Sequence, residues 1–390
     1  MRVNDVSRSE SLDKPIRLLL VAPALRILGG QAVQANYLLE HLSPEPDVEV
    51  SFLPHNPRLP GPLRFLQSIK YVRTLVTSFV YCLSLLIQIP RHDIVHTFSA
   101  SYLSFLIAPA PAIIIARLFG KKVILNYHSG EAEDHLRTWP RTAAPIMKLA
   151  DELIVPSQYL VDVFWKFGLR ATAVANIIDP DRFRFKERKP LLPIFLSNRN
   201  LYQLYNVACI LRAFAKIQQT FPEARLIIAG DGSQRPELEA LARELKLQNV
   251  DWRGRVEPHK MHELYDEAHI FLNSSNIDNM PGSIIESFGT GMPVVSTSAG
   301  GIRCMVTHER TGLLVPRNDH DAMAAWAIHL LESPELASSI AREAYEECAN
   351  YTWEAVREKW LAAYERLAGK KSTSSTPVVS AQMIHDDLHL

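Results

Sequence analysis

Cysteine is scarce in this 390-residue chain, and neither sign of charge is in excess. The four cysteines, Cys82, Cys209, Cys304 and Cys348, lie far apart, with no CxxC pair and no Cys/His cluster. That excludes a zinc ribbon or a disulfide framework, implies no metal site, and fits a reducing cytoplasm. Lys and Arg total 42 and Asp and Glu total 42, so the net charge is zero. A protein that coats nucleic acid needs a basic surface, so nucleic acid is not expected as a partner. The first residues, MRVNDVSRSESLDKP, lack the apolar stretch of a signal peptide. No repeat of solenoid period is visible. What remains is ordinary globular composition, 47% hydrophobic and 22% charged, at a length that suggests two domains.

The zero charge is a sum of unequal halves. Residues 1–190 hold 23 Lys+Arg against 17 Asp+Glu, or +6, and residues 191–390 hold 19 against 25, or −6. The basic half also carries two long uncharged runs, TLVTSFVYCLSLLIQIP (74–90) and TFSASYLSFLIAPAPAIIIA (97–116), each with Lys or Arg close by. The second has the length to span a bilayer but contains Pro109 and Pro111. Both are read as helices of a packed domain, with peripheral contact on an anionic membrane surface as the second reading.

Short apolar runs alternate with amphipathic stretches along the whole chain. Strands are expected at 16–22, 48–53, 93–98, 122–127, 152–156 and 171–175, and again at 193–197, 225–230, 250–254, 270–274, 293–297 and 312–316. Helices are expected near 30–42, 63–88, 101–118, 143–150 and 157–167, then near 205–220, 233–246, 257–267, 282–290, 320–332, 335–348 and 352–368. Fully apolar strands alternating with helices predict parallel sheets covered on both faces. The pattern restarts after IIDPDRFRFKERKPLLP (177–193), which is rich in Pro and charge. The expected organisation is therefore α/β, two Rossmann-like domains facing across a cleft. The first covers 15–178, a linker 179–192, the second 193–350, a closing helix 351–368 and a disordered tail 369–390. Ligands of such sheets sit outside the carboxyl ends of the strands.

Glycine is sparse, at 16 residues, and eleven fall in five clusters: Gly29-Gly30, Gly230/Gly232 with Gly254, Gly282, Gly289/Gly291, and Gly300-Gly301 with Gly312. Gly29-Gly30 follows a strand and opens a helix, which suits either a tight turn or a loop whose N–H groups meet a ligand. Neither GxGxxG after 225–230 nor any GxxxxGK[ST] is completed, so dinucleotide and P-loop readings are weak. The strongest local signal is NIDNMPGSIIESFGTGMP (276–293). Pro281, Gly282 and Ser283 mark a helix start, with Asp278 and Glu286 on either side. Two carboxylates at a helix start suit a hydroxyl-rich ligand. Glu286 three residues after Ser283 also fits a capping box, and both readings stand. His128 and His96 end strands, where each is either a site group or a satisfied structural histidine; His55 is read as surface.

The segment Asp278-x7-Glu286 resembles the E-x7-E element of the retaining glycosyltransferases of family 4, which have the GT-B fold. Other landmarks follow in order: Gly29-Gly30, NYHSG (126–130), VPSQYL (155–160), NIID (176–179), SNR (197–199), AGDGS (229–233), GRV (254–256), GGI (300–302) and TGLLVP (311–316). The resemblance covers nearly all of 16–368. It implies a nucleotide-sugar donor in the second domain, a glycan or lipid-linked acceptor at the first, retention of configuration, and no metal or other cofactor. By position it implies that Glu286 binds the donor ribose, Asp278 the transferred sugar and Arg199 the leaving diphosphate. Gly254, Arg255 and Val256 would line the base, and the backbone of Met280, Pro281, Gly282, Ser283 and Ile284 would cradle sugar and phosphate. Gly29-Gly30 would approach the phosphate from the opposite domain, and His128 would reach the sugar near its reacting carbon. The family's usual Lys is here Leu204, followed by Tyr205, and its Glu after the GG loop is Cys304. Arg182, Arg184 and Arg303 are candidates to replace the missing cation. The alternative function is a non-catalytic nucleotide-sugar-binding or scaffold protein of the same fold.

Overall fold

The computed structural model describes residues 14–24, 29–59, 61–69, 72–99 and 101–370. The polar N-terminus, the loop residues 25–28 and most of the expected tail, 371–390, lie outside the described residues. All twelve expected strands are present: β1 (Ile16–Ala22), β2 (Val48–Pro54), β3 (Ile94–Ser99), β4 (Lys122–Tyr127), β5 (Glu152–Val155), β6 (Thr172–Ala173), β7 (Ile194–Ser197), β8 (Arg225–Ala229), β9 (Val250–Gly254), β10 (Ile270–Asn273), β11 (Val294–Thr297) and β12 (Leu313–Val315). They form two six-stranded sheets, ordered β2-β1-β3-β4-β5-β6 and β12-β11-β10-β7-β8-β9. Every pairing is parallel. Strands such as IRLLLVA and RLIIA are apolar on both faces because helices cover both faces, so alternating polarity is not needed.

In each sheet the chain steps outward on one side and then returns to the other. The reversal falls between β1 and β3 in the first sheet and between β7 and β10 in the second. Loops leaving the carboxyl ends of neighbouring strands diverge at such a point and leave a crevice.

The helix Trp353–Ala368 returns to the first sheet, where Trp360 and Tyr364 pack among β-strand residues Leu18, Ile94 and Ile124. It is fastened by Arg357 to Glu45 (2.6 Å) and Arg366 to Glu152 (2.7 Å). His96 belongs to this seam. Its Nδ1 pairs with the Tyr364 hydroxyl (2.9 Å) and its Nε2 with Asn126 (3.2 Å), so it is a satisfied structural histidine. His55, read as surface, is half-buried with its ring edge-on to Tyr81, and burial drops its pKa to about 4.

Two expected helices are broken. The 101–118 stretch divides into Tyr102–Ile107 and Pro109–Leu118, because Pro109 has no N–H to continue the ladder. The 63–88 stretch becomes a 3-10 turn, Gly61–Gln67, and a helix, Val72–Gln88. That helix packs on the domain through one face only. Tyr81 and Leu85 are buried, but Leu75 and Phe79 are 73% and 70% exposed.

Candidate active site

A cavity of about 1040 Å³ runs between the two sheets and is lined from both sides. Its floor in the second unit forms at the β7/β10 reversal. Arg199 leaves β7 and Asp278 leaves β10, and the strand order brings them together across 79 residues of sequence. Arg199 Nη2 donates to Asp278 Oδ2 at 2.6 Å, and Nη1 donates to Ser283 Oγ at 3.4 Å. The guanidinium lies 4.3 Å from the Tyr205 ring centroid. Burial disfavours the charge on Arg199, but Asp278, Tyr205, Tyr265 and Glu286 outweigh it and raise its pKa, so it stays cationic. Arg199 Nε is buried with no hydrogen-bond partner among the described residues.

Asp278 is more heavily used than its expected role requires. Its Oδ2 also accepts from Ser275 Oγ (3.0 Å), and Oδ1 accepts from the Asn279 amide (3.0 Å). The carboxylate therefore fixes Arg199 and the loop at once. Two glycines hold that loop in place. A Cβ at Gly300, where φ is +49°, would overlap the Asp278 carbonyl oxygen, and a Cβ at Gly301 would overlap that of Asn279.

Glu286 sits in the helix Gly282–Gly289, whose start carries no side-chain cap bond. The capping-box reading is thus not what the carboxylate does. Its Oε2 accepts from the Tyr265 hydroxyl at 2.6 Å, and its side chain lines the cavity. Burial raises its pKa, opposed by the Tyr265 hydrogen bond and by Arg199 and Arg182. Tyr265 accepts in turn from Asn198 Nδ2 (2.8 Å). Behind it, the buried Arg188 donates to the carbonyls of Tyr265 (2.7 Å), Ala268 (2.9 Å) and Thr290 (2.5 Å). Tyr265 and Arg188 stand in no motif of the sequence. Asn198 lies in the SNR run beside Arg199, which was the one signal for this cluster.

The other expected residues divide into two groups. Gly29, Gly30, His128, Arg255, Val256, Met280, Pro281, Gly282 and Ser283 line the cavity. Gly254 and Ile284 do not. Gly254 ends β9 with φ +62° and turns the chain toward Arg255, while Ile284 is fully buried in the core below. Its amide is bonded to the Pro281 carbonyl at 3.1 Å. A Cβ at Gly29 or Gly30 would meet nothing within 4 Å, so packing among the described residues does not require glycine there. His128 stacks on Phe98 (5.0 Å), and its buried Nε2 has no partner among the described residues. Burial drops its pKa to about 3, so the ring is neutral near pH 7.

Leu204, at the position of the family's Lys, lines the cavity with Tyr205, and the cationic side chains doing so are Arg182, Arg199 and Arg255. Of the three candidates for the missing cation, Arg182 lines the cavity, 5.9 Å from the Tyr37 ring centroid and paired with Asp179 at 3.5 Å. Arg184 and Arg303 are exposed and outside the lining. The two units are latched at the cavity's edge. Asn176 Nδ2 donates to the Met280 carbonyl (2.8 Å), Ser157 bonds Asn279, and a Cβ at Gly130 would stand 3.1 Å from Asp278. Among the described residues, no three His, Cys, Asp or Glu side chains gather to hold a metal ion.

Comparison with known proteins agrees with this architecture. Residues 28–182 match the model of Glycosyltransferase Family 4, and residues 179–347 match that of Glycosyl transferases group 1. A Campylobacter jejuni protein, GalNAc-alpha-(1->4)-GalNAc-alpha-(1->3)-diNAcBac-PP-undecaprenol alpha-1,4-N-acetyl-D-galactosaminyltransferase, is 27% identical over 266 residues, covering 67% of this chain and 73% of that one. The alpha-monoglucosyldiacylglycerol synthase of Streptococcus pneumoniae is 23% identical over 327 residues, covering 76% and 73%. The crystal structure of Anabaena HepE in complex with UDP-glucose superposes with a TM-score of 0.70 at 15% identity, covering 90% of this chain and 100% of that one. With two family models running in succession from residue 28 to 347 over a two-sheet GT-B fold, the chain belongs to the family 4 type of glycosyltransferase.

Proposed function

We propose that this chain moves a sugar from a nucleotide-diphosphate sugar to a hydroxyl of a glycan or lipid-linked acceptor, with retention of configuration and without a resident metal. The observation that carries this is the Arg199–Asp278–Glu286 group at the β7/β10 reversal, facing Gly29-Gly30 across the cavity. Glu286 takes the ribose hydroxyls, beside the oxygen that Tyr265 already occupies. Arg199, the first-turn amides near Gly282 and Ser283, and Arg182 meet the diphosphate. Neutral His128 offers a hydrogen bond to the sugar, and Arg255 and Val256 lie where the base would sit.

The bond from C1 to the phosphate oxygen breaks while the acceptor oxygen bonds C1 on the same face. The acceptor's proton passes to the departing phosphate oxygen. Charge develops on that oxygen, and fixed donors aimed at it contribute roughly 3–4 kcal/mol each in comparable sites. No carboxylate nucleophile is assigned. Thermal shift against UDP-glucose, UDP-GalNAc and GDP-mannose tests the reading. One of them at 100 times its dissociation constant should stabilise the fold by about 2.7 kcal/mol. No shift with any nucleotide sugar, and no nucleotide release, would reject it.

The same reading places the enzyme on the cytoplasmic face of an anionic membrane. Leu75, Phe79, Leu83, Leu86 and Ile87 are exposed at spacings of three and four, so they form one apolar stripe on the helix Val72–Gln88. Phe65 and Ile69 extend it. Between Glu49 and Glu131 the chain carries eight Lys or Arg and one acid, Asp93, which Arg17 neutralises at 2.7 Å. By length and composition Val72–Arg91 would also span a bilayer. However, Tyr81 is buried and donates to the Ala108 carbonyl (2.9 Å), so this helix is built into the domain and would lie on the surface. The relatives named for undecaprenol and diacylglycerol substrates support a lipid acceptor.

Leu75→Asp with Phe79→Asp should reduce co-sedimentation with phosphatidylglycerol vesicles at least tenfold, since each buried apolar side chain is worth roughly 1.5–3 kcal/mol. Wild-type binding should also weaken with salt, because exposed charges are screened over about 8–10 Å. Wild-type protein that ignores acidic vesicles at low salt would remove the membrane from the proposal.

A further inference from the structure

The first unit's wall of the cavity carries a carboxylate that the fold leaves unused. Glu131 follows β4 and directly precedes the helix Ala132–Thr138. At that position a side-chain oxygen would ordinarily cap the first amides. Glu131 makes no cap bond, and no hydrogen bond or ion pair engages its side chain among the described residues. Its two acidic neighbours are spent elsewhere: Asp134 accepts from the Tyr102 hydroxyl, and Glu133 pairs with Arg137 (2.8 Å).

The backbone fixes where Glu131 stands. Gly130 is pressed against Ile277 and Asp278, with a Cβ position 3.1 Å from the Asp278 carbonyl carbon. The next residue therefore enters the cavity beside the loop expected to hold the transferred sugar. The Glu131 amide bonds Ser129 Oγ (3.2 Å), and Ser101, Tyr102, Ser104 and Ser129 line the same wall. Tyr205, under Arg199, is raised in pKa first by burial, against Arg199, and then by Asp278 and Glu131, so the carboxylate acts across the gap between the units. Burial and then Asp134 raise the carboxyl of Glu131 itself.

We propose that Glu131 is the acceptor-binding carboxylate of this cleft, receiving a hydrogen bond from a hydroxyl of a neutral sugar or polyol and holding it toward the donor's C1. This rests on the glycosyl-transfer reading and narrows its acceptor. A phosphate or carboxylate at this point would be repelled by Glu131, whereas a hydroxyl gains a charge-assisted bond. The serine-rich wall then completes a pocket for a polar, uncharged head, and charge on a lipid-linked acceptor must lie farther out.

The test compares wild type, Glu131→Gln and Glu131→Asp. Transfer from UDP-glucose, UDP-GalNAc and GDP-mannose is measured to dodecyl glucoside and dodecyl maltoside, beside nucleotide release into water and UDP binding by calorimetry. Glu131→Gln should raise the acceptor KM at least tenfold. UDP affinity and release into water should stay within twofold of wild type, and Glu131→Asp should recover part of the loss. An unchanged acceptor KM in Glu131→Gln overturns the assignment. So does an equal loss of UDP affinity, which would mark a structural role. Wild type that releases nucleotide into water but uses no neutral glycoside overturns the neutral-hydroxyl acceptor. Wild type that neither binds UDP nor releases nucleotide overturns the glycosyl-transfer reading itself, a failure visible without any variant.

Discussion

Arg199→Ala is expected to lower kcat/KM for donor transfer by roughly 10²–10³-fold, the usual cost of one donor aimed at developing charge. The protein should also lose stability. Arg199 and Asp278 are only 14% and 10% exposed, and removing one partner strands the other charge. Breaking a buried pair costs about 3–5 kcal/mol. Asp278 keeps its bonds from Ser275 and the Asn279 amide, so the lower end applies. With roughly 2–4 °C per kcal/mol, the melting temperature should fall by about 6–12 °C. The two losses separate in the double variant. Adding Asp278→Asn to Arg199→Ala removes the stranded charge and should restore much of the melting temperature while transfer stays low. Arg199→Lys should fall between, since an ammonium keeps the charge but not the fork that spans Asp278 and Ser283. Steady-state nucleotide release and differential scanning fluorimetry check both effects. Transfer within tenfold of wild type in Arg199→Ala would remove Arg199 from the chemistry.

That pair also marks how far the sequence could be read. The strands were legible because buried parallel strands read as near-continuous apolar runs, and LLLVA or LIIA, each preceded by an unburied Arg, has few other uses. The helix breaks were less so. Pro109 is visible in the sequence, but Pro in a first turn and Pro inside a helix look alike until the register is known. The helix Ala132–Thr138, AEDHLRT, escaped because it is short and mostly polar, with Ala132, His135 and Leu136 as its buried residues. At the site, Asp278 and Glu286 stood out because one helix start sets their separation. Arg199 lies 79 residues from Asp278, and only the strand order joins them. Tyr265 and Arg188 had no local pattern at all, since a hydroxyl behind a carboxylate and a guanidinium on three carbonyls are tertiary arrangements. The glycines carried mixed information. Gly300 and Gly301 are explained by packing against the Asp278 loop, whereas a Cβ at Gly29 or Gly30 would meet nothing within 4 Å, so packing does not explain them. The charge asymmetry sharpened in the same way. Between Glu49 and Glu131 the sequence carries eight Lys or Arg and one acid, in the stretch that also forms the helix with exposed Leu75 and Phe79.

Glu286→Gln is expected to make the free protein more stable and the donor complex weaker. Burial lifts the Glu286 pKa above the ordinary 4.5, so ionisation is harder in the folded state than in the unfolded one. A group with a raised folded pKa contributes its stability below the unfolded pKa and loses it as pH rises through the folded value. At pH 8 the ionised carboxylate therefore opposes folding. Glutamine removes that cost, and its amide oxygen still accepts the Tyr265 hydroxyl. The variant should melt above wild type at pH 8, and the gap should close as pH falls through the raised pKa toward 4. Donor binding moves the other way. Ribose hydroxyls bonded to a carboxylate gain charge-assisted hydrogen bonds worth about 1.5–3 kcal/mol, so UDP affinity should fall roughly 10–100-fold. Melting curves from pH 4 to 8.5, paired with UDP titration calorimetry, read both quantities on one sample. A purely structural Glu286 gives the opposite pattern, a lower melting temperature at pH 8 with UDP affinity unchanged. An ionised carboxylate that costs the empty fold stability, yet tightens the nucleotide, is what a binding residue held ready in a desolvated cleft requires.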